Sequence, residues 1–375
     1  MQDYRALFPI TRERAYLNHA AIGPFSTRVV DAVQRFAQAQ ATQADHASAE
    51  RKAQRETTRR KLAELIGAHP TEIAIVKNTP DALGMVAAGL RWKLGDKIVS
   101  SDQEFPANIY PWLNLAERGV ELDLVESCEG RVPPEALLEA IDPRTRLVAL
   151  SWIEFSTGYR NDLAAIGRAC REQGALLAVD AIQGVGALRL DVKQARVDFL
   201  ALSSHKWMLG PLGVGWFYCR RELQDQLDVV MVGQASVVER PSYLDYSLEL
   251  WPDARRFENG APNAMGIAGV EAALDLFAEV GMEEVEARIK ALTDRLVAGL
   301  AERGYRPAAR RGPDDWSGIV SFECECHTPE ELHAGLQAAN ISTAVRERRV
   351  RVSPHFYNVP EEIDALLAAL PPVRS

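Results

Sequence analysis

Between residues 72 and 219 the chain alternates short, wholly apolar runs with segments of helical pattern, and this alternation constrains the fold more than any other feature. "EIAIVKN" precedes "PDALGMVAAGL", "DKIVSSD" precedes "ANIYPWLNLAERG", and "TRLVALSW" precedes "NDLAAIGRACREQG"; "ALLAVDA", "VDFLALSS" and "GVGWFYC" follow. A strand that is apolar along its whole length has both faces buried, and strands that alternate with helices pair in parallel beneath them. The expected fold is therefore α/β, a mainly parallel sheet covered by helices. Ligands of such sheets collect at the carboxyl ends of the strands, where loops lead into helix N-termini.

After "RFENGAPNAMG" the pattern changes. Two long helices, "MGIAGVEAALDLFAEVG" and "MEEVEARIKALTDRLVAGLAERG", lead to a strand near 318–323, a helix near 329–338, strands around 343–353 and a closing helix, "PEEIDALLAAL". At 375 residues the chain exceeds what one hydrophobic core usually supports. The expected organisation is an arm over 1–14 that packs with the small domain, a large domain over 15–259, and a smaller α+β domain over 260–375.

Hydrophobic residues make up 47% and charged residues 25%, proportions that exclude a disordered chain. The net charge of -9 and the lack of a basic tail disfavour nucleic acid and anionic membrane as partners. The opening "MQDYRALFPITRER" has no apolar signal region, and no run of 18 apolar residues follows, so a soluble cytoplasmic protein is expected. The five cysteines are odd in number and form no CxxC pair, which favours reduced thiols. In "VSFECECH", Cys324 and Cys326 alternate as they would on one face of a strand.

Several strand ends carry polar groups that a purely structural sheet has little reason to place there. Thr79 in "NTPDALG" is expected at the N-cap of a helix, with Pro80 at N1 and Asp81 in the first turn. A helix N-terminus with a hydroxyl is a phosphate cradle, although an ordinary cap reads the same way. Asp180 ends the apolar run "LLAVD" with Gln183 three residues on, and a carboxylate there needs a cation or donors. Lys206 ends "ALSSHK"; a lysine against apolar walls loses its charge readily and becomes a nucleophile able to form a Schiff base. Each has a bland reading alone. Together, a phosphate cradle, an acid for a protonated ring nitrogen and an amine for an aldehyde are the groups that pyridoxal phosphate requires.

With these motifs the chain resembles the class V aminotransferase family of fold-type I pyridoxal-phosphate enzymes, which includes cysteine desulfurases, selenocysteine lyases, kynureninase and isopenicillin N epimerase. The similarity runs nearly end to end, through "YLNHAAIGP", "NTPDALGMVA", "EFPANIYPW", "STGYRNDLAAIG", "VDAIQGVG", "SSHKWMLGPLGVG", "RFENGAPN" and "VRVSPHFYN". The resemblance implies a seven-stranded sheet, a homodimer and an amino-acid substrate. It also implies that Lys206 holds the cofactor and moves protons at the substrate α-carbon, that Asp180 pairs with the ring nitrogen, and that Gln183 donates to the ring 3-oxygen. Thr79, Ser203 and His205 would bind the phosphate, Phe105 would stack on the ring, and Arg351 would grip the substrate carboxylate. Asn18 and His19 would line the substrate pocket, and Arg346 belongs to an arginine cluster suited to a second anion.

The chain departs from the desulfurase pattern at three places. No cysteine lies between Arg346 and Arg351, Phe155 stands where desulfurases carry an asparagine, and Ala261 stands where many relatives use a threonine. Transamination is the leading expectation, because it asks only for Lys206 and a carboxylate anchor. C–S lyase (desulfurase-like) or epimerase activity is the alternative. A non-catalytic cofactor carrier and a scaffold for some other phosphate compound are rivals from other classes.

Overall fold

The computed structural model describes residues 4–242, 244–309, 311–312 and 314–373. Seven strands form the central sheet: β1 (Ile73–Val76), β2 (Lys97–Ser101), β3 (Glu121–Val125), β4 (Thr145–Ser151), β5 (Leu176–Asp180), β6 (Phe199–Ser203) and β7 (Gly215–Cys219). Their spatial order is β1-β7-β6-β5-β4-β2-β3, parallel except for β7, which runs antiparallel to both neighbours. Six of the seven match the apolar runs of the sequence. Most of their residues are buried, as a sheet covered on both faces requires. The exception is the edge strand β3, whose half-exposed "ELDLV" gives a weaker signal than a wholly apolar run.

Helices α1 (Thr27–Gln43), α2 (Ser48–Leu65), α3 (Thr79–Gly89) and α4 (Leu163–Gln173) belong to the large domain. The helix expected over "ANIYPWLNLAERG" is instead broken into single turns, within which Pro111 removes a backbone donor. Helix α5 (Ala264–Val280) packs against α1 and α2, and its Ile267, Val270, Leu274 and Phe277 enter the same core as the sheet.

Helix α6 (Met282–Glu302) joins two cores. Val285 and Ile289 pack with the large domain, whereas Leu292, Leu296 and Leu300 pack with a second cluster. That second cluster lies beneath an antiparallel sheet of β8 (Arg306–Pro307), β9 (Val320–Glu323), β10 (Ala344–Arg346) and β11 (Arg349–Val352), ordered β10-β11-β9-β8. Helices α7 (Pro329–Ala338) and α8 (Pro360–Ala369) complete this smaller α+β unit. Strand β9 ends at Glu323, where its pairing with Arg306 stops, so Cys324 and Cys326 lie past the strand rather than on one face of it.

The N-terminal segment crosses to the small unit. Ala15–Tyr16 pairs in parallel with Ile341–Ser342, and Phe8 stacks on Tyr357 at 3.7 Å between ring centroids. Of the expected arm, residues 1–3 lie outside the described residues.

Candidate active site

The carboxyl ends of β5 and β6 deliver the two central groups. The last residue of β5 is Asp180, and β6 ends at Ser203, followed by a turn that carries Ser204, His205 and Lys206. The turn is held from three sides. The Gly23 N–H donates to the His205 carbonyl at 2.7 Å, the Leu209 N–H to the Lys206 carbonyl at 3.0 Å, and His355 Nε2 to the Trp207 carbonyl at 2.9 Å. A Cβ on Gly23 would stand 2.3 Å from the Lys206 carbonyl oxygen, so only glycine fits beneath the lysine.

Burial pushes the Lys206 ammonium down to about 8; Arg351 and Arg346 act in the same direction, and Asp180 opposes them. Its Nζ lies 5.6 Å from the centre of the Phe105 ring, which in turn meets Phe155 edge-on at 5.2 Å. Asp180 is 3% exposed, and burial raises its carboxyl to about 6. Its one hydrogen-bond donor among the described residues is the Ile182 N–H at 2.9 Å. A carboxylate so poorly served calls for a cationic N–H.

Thr79 is not the N-cap of α3. Asn78 takes that place, because its Oδ1 reaches the Asp81 N–H at 2.9 Å, and Thr79 becomes the first helical residue. Thr79 is thereby turned towards β6: its N–H donates to Ser203 Oγ at 2.9 Å, and the two hydroxyls lie 3.0 Å apart. A hydroxyl pair at a helix N-terminus suits a phosphate. His205 is half-buried, and burial together with Lys206 holds its imidazole down at about 4, so it offers a neutral ring.

Gln183 is fixed in orientation. Its Nε2 donates to the Ala20 carbonyl at 3.1 Å and its Oε1 accepts from Trp207 Nε1 at 2.9 Å, which leaves one N–H of the amide. On β11, Arg351 is 1% exposed; its Nη1 donates to the Phe155 carbonyl at 2.7 Å, and its Nε has no partner among the described residues. Arg346 on β10 donates to the Val345 carbonyl at 2.7 Å. Asn18 bridges to Ser353, two residues beyond Arg351, and its Oδ1 is buried without a partner among the described residues. His19 is fully buried, with Nδ1 donating to the Ser353 carbonyl at 2.8 Å and Nε2 accepting from the Tyr357 hydroxyl at 2.6 Å. Neither ring nitrogen is left for a substrate, so this histidine pins the seam between the N-terminal segment and the small unit.

Sequence reasoning missed a buried acid network behind the site. Glu104 accepts from the Ser151 N–H, from Ser151 Oγ at 2.6 Å and from Asn108 Nδ2 at 2.8 Å. Glu154 accepts from Asn161 Nδ2 at 2.8 Å. Burial lifts Glu104 to about 7 and Glu154 well above the usual carboxylate range, with Asp180 adding to both shifts. The available signal was an acid in an otherwise apolar stretch, "SWIEF", and another beside "FPAN".

An amine that gives up its charge more easily than usual, a lone acid and a hydroxylated helix N-terminus at the strand ends define a site for an aldehyde-bearing, phosphorylated pyridine, and the donor set fits pyridoxal phosphate. The profile of the Aminotransferase class-V family matches residues 15–366, and the chain belongs to that family. It is 32% identical to a probable cysteine desulfurase of Methanothermobacter thermautotrophicus, over 97% of this chain and 96% of that protein. Among solved structures, C-DES with glycine linked to its PLP cofactor has a TM-score of 0.91 at 26% identity, each chain being 98% covered. C-DES is also described as a cystine C–S lyase in complex with its reaction product cysteine persulfide; that structure has a TM-score of 0.88 at 27% identity, over 96% of this chain and 98% of the other.

Proposed function

We propose that the chain is a pyridoxal-phosphate-dependent C–S lyase that cleaves a cysteine-derived amino acid by α,β-elimination without using a thiol of its own. Similarity to cysteine desulfurases and to a C–S lyase favours this reading over the transamination first expected. The observation that carries it is the connection between β10 and β11, a two-residue turn of Glu347 and Arg348 with φ of 43° and 61°. Such a turn has no room for a mobile loop bearing a nucleophilic cysteine. Cys170 is raised to about 12 and Cys219 well above the thiol range, both chiefly by burial, so neither serves as a thiolate. Elimination needs none: the substrate's own C–S bond breaks as the α-proton leaves.

When bound, pyridoxal phosphate supplies the electron sink for that proton's departure. Lys206 takes the proton from the α-carbon and can return it to the departing sulfur. Asp180 would hold the protonated ring nitrogen, Gln183 would offer its remaining N–H to the ring oxygen, Thr79, Ser203 and His205 would hold the phosphate, and Phe105 would form an aromatic wall. Arg351 takes the α-carboxylate with its unpaired Nε. For cystine the balance is cystine plus water giving cysteine persulfide, pyruvate and ammonia.

The partner we assign is a second copy of the chain. A concavity of about 1050 Å³ is lined from residues 233–262 together with Lys52, Arg55 and Glu56, and contains none of the site residues. Its flank exposes Val230, Val232, Leu244, Tyr246 and Leu248, an apolar surface that a second subunit would cover.

The test is an absorption spectrum of the purified protein from about 300 to 500 nm, repeated for Lys206→Ala, with pyruvate and persulfide assayed after addition of cystine. A cofactor band that depends on Lys206, with pyruvate released and no 2-oxo acid required, is the expected result. Turnover that stops after one equivalent until a 2-oxo acid is added restores transamination. Absence of the band removes the cofactor assignment itself.

A further inference from the structure

Among the described residues the lyase reading leaves Arg346, near the site, without a task, and its position can be followed from the sheet register. Ala344 faces Arg351, Arg346 faces Arg349, and Ser321 of β9 faces Arg351 on the other side. Paired residues, and residues two apart along a strand, share a face. Arg346, Arg349, Arg351 and Ser321 therefore lie on one face, while Val350, Val352 and Phe322 fill the small unit's core on the other.

The arginine face is the one turned to the large domain. Arg351 reaches the Phe155 carbonyl at 2.7 Å, and Ser321 Oγ reaches the Ser156 carbonyl. On β10 and β11 three guanidinium groups share this face, joined by Glu323 of β9, which stands 3.4 Å from Arg349, and by its pair Arg306 of β8, which meets Glu325. Arg351 and Arg346 have no carboxylate partner among the described residues, and both act on the Lys206 charge. Arg348, at the tip of the turn, is exposed and belongs to solvent.

A substrate with one carboxylate answers Arg351 alone. We propose that Arg346 receives a second negative group on the leaving side of the scissile bond, so that the preferred substrate is a cysteine-derived amino acid whose leaving half ends in a carboxylate. This assignment rests on the lyase reading for which bond breaks, but the diacid preference itself does not. The spacing suits a disulfide-linked amino-acid pair. Arg346 lies two residues along the sheet from the level of Arg351, or about 7 Å, and a disulfide separates its two α-carbons by about 5.5–6 Å. The tight turn and the arginine pair are thus one arrangement: the turn that leaves no room for a protein thiol holds Arg346 on the same face as Arg351.

The experiment compares holoenzyme turnover of cystine with that of the mixed disulfide of cysteine and cysteamine, which has the same S–S bond but no carboxylate on the leaving half. Wild type is expected to favour cystine in kcat/KM by roughly ten- to a hundredfold, mostly through KM, as loss of a charge-assisted bidentate contact implies. In Arg346→Gln the ratio should fall to within about threefold, with Arg346→Lys intermediate. Equal loss on both substrates, or no preference in wild type, overturns the assignment. In parallel, calorimetry measures adipate against hexanoate on wild type and Arg346→Gln. If neither disulfide yields pyruvate, the lyase reading fails, and the calorimetry still decides Arg346: tighter adipate binding that the variant abolishes supports it, and equal binding of the two acids overturns it.

Discussion

Lys206 and Asp180 are both held away from their ordinary ionisation, in opposite directions and for the same reason, burial. Only a neutral amine attacks an aldehyde. With Lys206 at about 8 instead of the usual 10.5, the rate at which cofactor-free protein captures pyridoxal phosphate is expected to rise with pH and level off just above 8. A stopped-flow absorbance series would show it, and a rate still climbing at pH 10 would contradict it. For Asp180 the folded value of about 6 lies above the ordinary 3.8. Its carboxyl therefore costs nothing while protonated below about 3.8, and the penalty grows as pH rises through 6, reaching about 3 kcal/mol at pH 7. Asp180→Asn is expected to stabilise the cofactor-free protein by up to that amount at pH 7 and not at pH 4, while weakening cofactor binding. Denaturant unfolding at the two pH values is the check.

At the scale of elements, the site depends on where strands stop and how they are joined. Helix α3 begins at Thr79 with Asn78 as its cap, because the asparagine side chain is the better cap, and this frees the threonine to meet Ser203. Strand β9 stops before its two cysteines, and the β10–β11 turn carries none. Cys128 and Cys326 are exposed and Cys324 is partly so, with its Sγ 3.8 Å from the His327 carbonyl. Replacing Cys128, Cys324 and Cys326 together by serine is expected to keep kcat for pyruvate release within about twofold, since surface substitutions change little. A loss of a hundredfold or more would show that a thiol of the chain takes part. The acid network is built the same way, from residues just past the ends of β2 and β4 that only the sheet brings together.

For the whole molecule, the seam between the N-terminal segment, the lysine-bearing turn and the small unit is fastened by buried histidines. His355 bonds the Trp207 carbonyl, and His19 links Ser353 to Tyr357. Burial lowers His355 to about 4 and His19 well below 6.5. A histidine depressed in this way contributes stability that is full above 6.5 and is lost as pH falls through the folded value, about 3 kcal/mol for His355 alone. The raised carboxyls of Asp180, Glu104 and Glu154 pull the other way over much of the same range, so the histidine contribution is read as a difference between proteins. Relative to His355→Gln, the wild type is therefore expected to lose about 3 kcal/mol of stability as pH falls from 6.5 to 4; unfolding of the two proteins across this range tests it. A difference that does not change with pH would mean that His355 titrates elsewhere.

Arg351 was singled out by resemblance to the family, whereas six of the seven central strands and the strand-end places of Asp180, Ser203 and Lys206 were legible in the sequence itself. They follow from local signals: apolar runs that must be buried on both faces, and polar residues placed where such runs end. The edge strand β3 was less legible, since half its side chains face water. Contacts between distant segments carry no local signal. The committed ring of His19, the Glu104 and Glu154 network and the uncompensated Arg346 arise from residues up to 338 positions apart that meet only when the sheets close. What the residues could do was set by their chemistry along the chain. Which of them are free to act on a substrate was decided by the tertiary structure, because burial and partner groups determine which charges and lone pairs are left over.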